Sequence, residues 1–240
     1  MIESEFEPVL NLCLKCRRRL KTCVCAFLKP FETQSRFIIL MHPMEFKKEK
    51  VGTGRFSQLI LKNSKIIVDV SFEENKEFLQ VLKDEEYENF MLYPGDEAHH
   101  LNENFSNLFD KKKCQFFIID GTWPCAKKMV KLTPSLHHMP RVSFSTIHES
   151  KFKIKHQPMK GCLSTVESVH LLLSELNQIG MEKTEGAHDN LLEVFEHTVN
   201  QQLALAADPQ FQGYRRKSFK APELRKISKK WEKRSLFFKN

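Results

Sequence analysis

Short apolar runs separated by polar, helix-like stretches dominate the chain from Arg36 onward: RFIILMH, KIIVDVSF, NFMLYPG, CQFFIIDG and RVSFST. These runs are rich in Ile, Val and Phe and barely alternate between apolar and polar positions, as expected of strands covered on both faces. The pattern predicts a mainly parallel sheet flanked by helices, an α/β fold. Two helices are legible further on. The first opens with a Ser-x-x-Glu capping box at 164–167, turns Val166, Val169, Leu172, Leu173 and Leu176 inward, and stops at Gly180. The second carries Leu192, Phe195, Val199 and Leu203 at helical spacing and ends before Pro209. Between them, MEKTEGAHDN reads as a polar loop.

A chain of 240 residues suits one sizeable core with a small attachment. Its 41% apolar and 28% charged residues are ordinary for a soluble globular protein. No run approaches the roughly 18 apolar residues of a membrane span, and the start, MIESEFEPVL, is acidic and lacks the marks of a signal peptide. The expectation is a cytoplasmic protein with no membrane contact. The net charge of +8 is concentrated at one end: residues 214–240 hold eleven Lys or Arg against Glu223 and Glu232. This tail, punctuated by Tyr214, Phe219, Trp231, Phe237 and Phe238, suits a polyanion, since basic side chains displace phosphate counterions and rings stack on bases. It equally suits a helix that packs Leu224, Ile227 and Trp231 back onto the body.

Seven cysteines without an export signal point to metal binding or simple burial rather than disulfides. In CLKCRRRLKTCVC, residues 13–25, Cys13, Cys16, Cys23 and Cys25 follow a C-x2-C-x6-C-x-C spacing with five basic residues among them. Four thiolates so close in sequence can surround one tetrahedral Zn²⁺, which would stabilise a segment too small to have its own core.

Three of the predicted strands end in polar punctuation: MHPMEFKKEKVGTGR at 41–55, LYPGDEA at 92–98 and DGTWPCA at 120–126. Ligands of an open parallel sheet gather beyond the carboxyl ends of its strands. A fourth segment, GCLSTVE at 161–167, leads into a capped helix start whose amides favour a carboxylate or phosphate. Four such loops on one sheet edge describe a cofactor pocket. Within it, Asp120 is placed either to act as a base or to cap the helix that follows, with Pro124 in its first turn. Trp123 is placed to stack on a ligand or to fill the core.

The combination of HP-x-E, GTGR, YPG, D-G-T-W-x-x-A and S-T-x-E behind a four-cysteine cluster resembles the DTW-domain family of tRNA-uridine aminocarboxypropyltransferases, over roughly residues 10 to 205. The resemblance implies a SPOUT-like core whose C-terminal part is threaded into a trefoil knot that holds S-adenosylmethionine. It implies transfer of the donor's 3-amino-3-carboxypropyl group to N3 of an unpaired tRNA uridine, forming acp3U and releasing methylthioadenosine. It divides the chain into a zinc-binding module at 1–30, a catalytic domain at 31–209 and a basic tail at 210–240. On this reading Asp120 is the general base, and Leu92, Pro94, Gly95, Thr122, Trp123, Ser164, Thr165 and Glu167 bind the cofactor. Arg55, Lys127, Lys128 and Arg141 contact RNA, with the arginines at 17–19 and the tail further out. Zn²⁺ and S-adenosylmethionine are the implied cofactors and tRNA the implied partner, with no protein partner predicted. Pro124 and Cys125 stand where the family commonly has a basic residue and a glutamine, and Gly52 departs from the usual asparagine and threonine pair. The rival readings are a SPOUT-type RNA methyltransferase, which shares cofactor and fold, and a non-catalytic zinc-containing RNA-binding protein.

Overall fold

The computed structural model describes residues 11–48, 52–95, 97–101, 113–144, 150 and 163–207. The basic tail and the two ends of the proposed division into modules lie outside these residues, as do Gly161 and Cys162 of the fourth loop.

The apolar runs form a parallel sheet in the order β2-β1-β5-β3-β6-β4. Its strands are β1 (Arg36–Met41), β2 (Ser64–Val68), β3 (Tyr87–Leu92), β4 (His99–His100), β5 (Lys113–Asp120) and β6 (Arg141–Ser143). The helices are α1 (Pro43–Lys48), α2 (Thr53–Ile60), α3 (Lys76–Leu82), α4 (Trp123–Lys131), α5 (Thr165–Gln178) and α6 (Asn190–Ala207). The mixed α/β class and the parallel sheet match the sequence expectation. The two-residue β4 was not expected; it is too short to carry a periodic signal.

Side chains that alternate along the strands enter two separate cores. On one face Phe37, Phe90, Phe116 and Val142 pack beneath α2, α5 and α6, through Phe56, Ile60, Leu172 and Phe195 among others. On the other, Ile38, Leu40, Met91 and Phe117 meet Phe78 of α3 and Met129 and Val130 of α4. The helices therefore cover both faces, which removes any need for a polar alternation in the central strands. Phenylalanine rings form a ladder across three adjacent strands, Phe37 to Phe116 at 5.9 Å and Phe116 to Phe90 at 5.8 Å between centroids. Such tilted ring pairs add to plain area burial.

The first predicted helix is α5, with Val166, Val169, Leu172, Leu173 and Leu176 buried as expected. In α6 the buried stripe is Leu191, Val194, Phe195 and Val199, while Leu192 is only half-buried, a shift of one position from the expected face. Adjacent leucines offer two equivalent readings of a 3.6-residue period, and packing against α2 and α5 selects the first.

The loop between α5 and α6 is polar in composition yet buried in part. Glu182 is 5% exposed, and its carboxylate accepts backbone N–H bonds from Gln34 at 3.0 Å and Ser35 at 2.6 Å. A carboxylate that accepts two backbone amides satisfies donors that the start of β1 would otherwise leave orphaned. Asn190 likewise joins distant segments: its side chain accepts from Lys29 N at 2.8 Å and donates to Phe27 O at 3.0 Å.

Candidate active site and metal centre

β1, β5 and β3 are neighbours, and their carboxyl ends lie almost level, with Met41 opposite Asp120 and Leu92 opposite Ile118. The loops after these strands consequently open on one edge of the sheet. Asp120 is the last residue of β5 and is 8% exposed. Thr165, the first residue of α5, donates a hydrogen bond from Oγ1 to Asp120 Oδ1 at 2.6 Å. On the other side of the carboxylate lies α2: a Cβ placed on Gly54 would stand 2.5 Å from Asp120 Oδ2 and 3.0 Å from both its Cγ and Met41 Cε. Glycine is required there by close approach rather than by backbone angle. The carboxylate is thus gripped between the first turns of two helices, where peptide dipoles favour negative charge.

The helix after β5 settles the alternative reading of Asp120. The N-cap of α4 is Thr122, with Pro124 inside the first turn, and Asp120 remains in the strand. Asp120 is therefore not the cap of α4. Thr122 is exposed and makes no side-chain capping bond. Trp123 is half-buried, with its ring 6.4 Å from that of Tyr93 and tilted by 60°. Burial pushes the Tyr93 phenol up from its usual range, against the opposing charge of Arg141. Arg141 also borders Gly95, where a Cβ would stand 3.1 Å from Nη1. Tyr93 carries no motif signal beyond its place before Pro94-Gly95, and only the fold brings it beside Trp123.

The remaining expected site residues fall into distinct environments. Ser164 and Glu167 form the capping box of α5: the Glu167 carboxylate accepts from Ser164 N at 2.8 Å and Ser164 Oγ at 2.6 Å. Ser150 Oγ donates to the same oxygen at 2.8 Å. Glu167 is buried and largely occupied in holding the helix start. Lys127 and Lys128 are exposed on α4. Arg55 is buried, its guanidinium 4.9 Å from the centre of the Phe46 ring, and Arg17 approaches the same ring at 5.1 Å. Arg18, expected among the outward arginines, is 5% exposed and turned inward.

The four N-terminal cysteines converge. Sγ of Cys13 and Cys25 are 3.5 Å apart and those of Cys16 and Cys23 are 3.7 Å apart, with all four sulfurs within 4.8 Å of one another. Zn–S bonds of about 2.3 Å place tetrahedral sulfurs about 3.8 Å from each other, so the donor set fits one Zn²⁺. Amides of Cys16 and Lys15 donate toward Cys13 and lower its thiol pKa to about 6. Arg17 takes a left-handed conformation at φ 54°, where the turn reverses, and the Cys13 and Arg18 backbones pair at 2.7 Å. Arg18 then locks the turn to α6, donating to Thr22 O at 2.8 Å, Gln201 Oε1 at 2.8 Å and Thr198 Oγ1 at 3.4 Å. Cys16 and Val24 join the same core as α2 and α5.

The DTW domain profile matches residues 10–203. The chain belongs to the DTW domain family. It is 32% identical over 172 residues to a tRNA-uridine aminocarboxypropyltransferase 2 of Drosophila melanogaster, covering 69% of this chain and 66% of that protein. Proteins of the same name from Macaca fascicularis and Mus musculus are each 31% identical, again over 69% of this chain but 56% of their own length. The chain thus spans between about half and two thirds of the curated relatives it matches. No solved structure matches it.

Two outcomes follow from this geometry. The purified chain should hold zinc in the cysteine cluster, and Cys16→Ser should lose that zinc and lower Tm, by about 2–4 °C for each kcal/mol of metal-linked stability; metal analysis with thermal unfolding checks both. Gly54→Ala should destabilise the fold by about 1–3 kcal/mol, as overpacking does, because the new methyl meets a carboxylate that Thr165 holds in place; urea unfolding measures the shift.

Proposed function

We propose that this protein is a tRNA-uridine aminocarboxypropyltransferase that uses S-adenosylmethionine as donor. The observation that carries the reading is the match of the DTW family over residues 10–203 together with relatives of that name at 31–32% identity. The gripped carboxylate of Asp120 at the crossing of β5, α2 and α5 supports it from the side of chemistry. The acceptor nitrogen, N3 of uridine, carries a proton near neutral pH. For it to attack, a base must accept that proton as N3 bonds to the donor's γ-carbon; the carbon–sulfur bond breaks, its electron pair stays on sulfur, and methylthioadenosine departs. Asp120 is the base in this account, and Thr165 fixes the orientation of its carboxylate. A sulfonium offers three carbons to a nucleophile, so selection of the aminocarboxypropyl carbon rests on how the donor is oriented.

Donor binding falls to the strand-end loops. Leu92, Pro94 and Gly95 supply an apolar slot and backbone groups for the adenine, and Thr122, Trp123, Ser164 and the backbone amide of Thr165, whose hydroxyl is committed to Asp120, supply polar and stacking contacts. Glu167 serves that contact through Ser164. N3 lies on the pairing edge of the base, so the uridine must be unpaired or extruded. Lys127, Lys128 and Arg141 would hold nearby phosphates, while Arg55 is buried, with its guanidinium over the Phe46 ring of α1, and is set deeper. The same reading extends to a SPOUT-like core with a C-terminal knot around the donor, and to a division into zinc module, catalytic domain and basic tail. Zinc would serve as a structural tie between the cysteine turn and α6.

The test is transfer from donor labelled separately in its methyl and its aminocarboxypropyl carbons to tRNA that lacks the modification. Label should reach RNA from the aminocarboxypropyl carbons alone, and Asp120→Asn should cut the rate by about 10²–10⁴-fold, the usual worth of a general base, while tRNA binding persists. Methyl label in RNA would make the protein a methyltransferase. No transfer to any tRNA, with binding intact, would leave the RNA-binding reading.

A further inference from the structure

The polar corner where α5 meets α6 gathers a second set of metal-ligating side chains, away from both the cysteines and the strand ends. His170 lies on the second turn of α5, and His188 and Asp189 lie in the 3-10 turn that leads into α6. Asp189 Oδ1 is 2.9 Å from His170 Nε2 and 3.9 Å from His188 Nε2, and one ligand atom from each residue falls within 4.8 Å of the others. Zn–N and Zn–O bonds of about 2.0–2.2 Å separate tetrahedral ligands by about 3.4 Å. The two measured spacings bracket that value, so a small movement of the exposed Asp189 side chain would equalise them.

The histidines are oriented for this role. His188 Nδ1 lies 2.7 Å from Thr184 Oγ1, and Thr184 is itself held by Asn177, whose Nδ2 donates to Oγ1 at 2.9 Å and whose Oδ1 accepts from Thr184 N at 2.9 Å. With Nδ1–H donating to Thr184, Nε2 keeps its lone pair for a ligand, as second-shell partners of ligating histidines arrange it. Ser174, one turn beyond His170, puts its Oγ 3.2 Å from the same Nε2 and offers an oxygen beside a fourth position. Burial lowers the pKa of His188 and His170 lowers it further, against the pull of Asp189. Side-chain exposures of 18% for His170, 14% for His188 and 65% for Asp189 describe a site shielded behind and open in front.

We propose that His170, His188 and Asp189 bind a second divalent transition metal, with Zn²⁺ as the best-suited ion among those that favour imidazole and carboxylate. The bound ion would cross-link α5 to the start of α6 and stiffen α5, whose first residue holds Asp120. The direct metal-free network, in which His188 Nε2–H donates to Ser174 and Thr184 donates to Nδ1, is the competing arrangement of the same atoms.

Equilibrium dialysis of the full chain against micromolar free Zn²⁺, followed by metal analysis, separates the two. Wild-type protein should carry two zinc ions per chain. His170→Ala and, because His188 is packed, the exposed-ligand variant Asp189→Asn should each retain the cysteine-held ion and weaken the second by at least tenfold. Added Zn²⁺ should raise Tm in the wild type and leave Asp189→Asn unmoved. One zinc per chain in wild type, or a second ion insensitive to both variants, overturns the proposal. Because the readouts are metal content and Tm, failure here leaves the transferase reading untouched.

Discussion

The arrangement turns on one buried carboxylate. Asp120 ends the central strand, takes a hydrogen bond from the first residue of α5, and leaves the second residue of α2 no room for a side chain. Those contacts bind three stretches far apart in sequence, 52–54, 120 and 164–165, into one point of the molecule. Neither helix can shift without disturbing the carboxylate, and the carboxylate cannot turn without losing Thr165 or striking α2. A group held in this way is pre-oriented, which is what a proton acceptor or ligand anchor requires and what an ordinary surface aspartate lacks.

Behind that point the rest of the protein acts as a frame. Helices cover both faces of the sheet; the strands give Phe37, Phe90 and Phe116 to one core and chiefly Ile38, Leu40, Ile67 and Met91 to the other. The cysteine turn is part of the frame on the α2, α5 and α6 face: Cys16 and Val24 enter its core, and Arg18 bonds to α6. An arginine within a basic run is therefore structural here, and the exposed charge of the run is carried by its neighbours Lys15, Arg17, Arg19 and Lys21.

Much of this was legible in the chain, for physical reasons. Strands covered on both faces announce themselves as unbroken apolar runs, and a capping box announces α5 to the residue. The cysteine spacing pointed to a cluster that the fold then assembles. What stayed hidden depended on contacts between distant segments. The sequence D-G-T-W-P left Asp120 open as a cap, and only the strand's extension to Asp120, with Thr122 at the N-cap of α4, removes that reading. Gly54 reads as one of two glycines at a helix entry until Asp120 is seen against it. Glu182 looks like any charge in a polar loop, since composition cannot report that two backbone amides of β1's approach are waiting for it. The expected face of α6 began at Leu192, whereas the buried residue of the pair is Leu191, a distinction that packing alone makes.

The most direct test of the central claim, that Thr165 orients Asp120 for catalysis, is the single-turnover transfer rate of Thr165→Val measured beside the dissociation constant of S-adenosylmethionine. Valine keeps the volume and removes the hydroxyl. The account predicts a rate reduced by about tenfold or more, the scale of one lost charge-assisted hydrogen bond of about 1.5–3 kcal/mol, with donor affinity close to that of the wild type. An unchanged rate, or a loss that appears wholly in donor affinity, would contradict it.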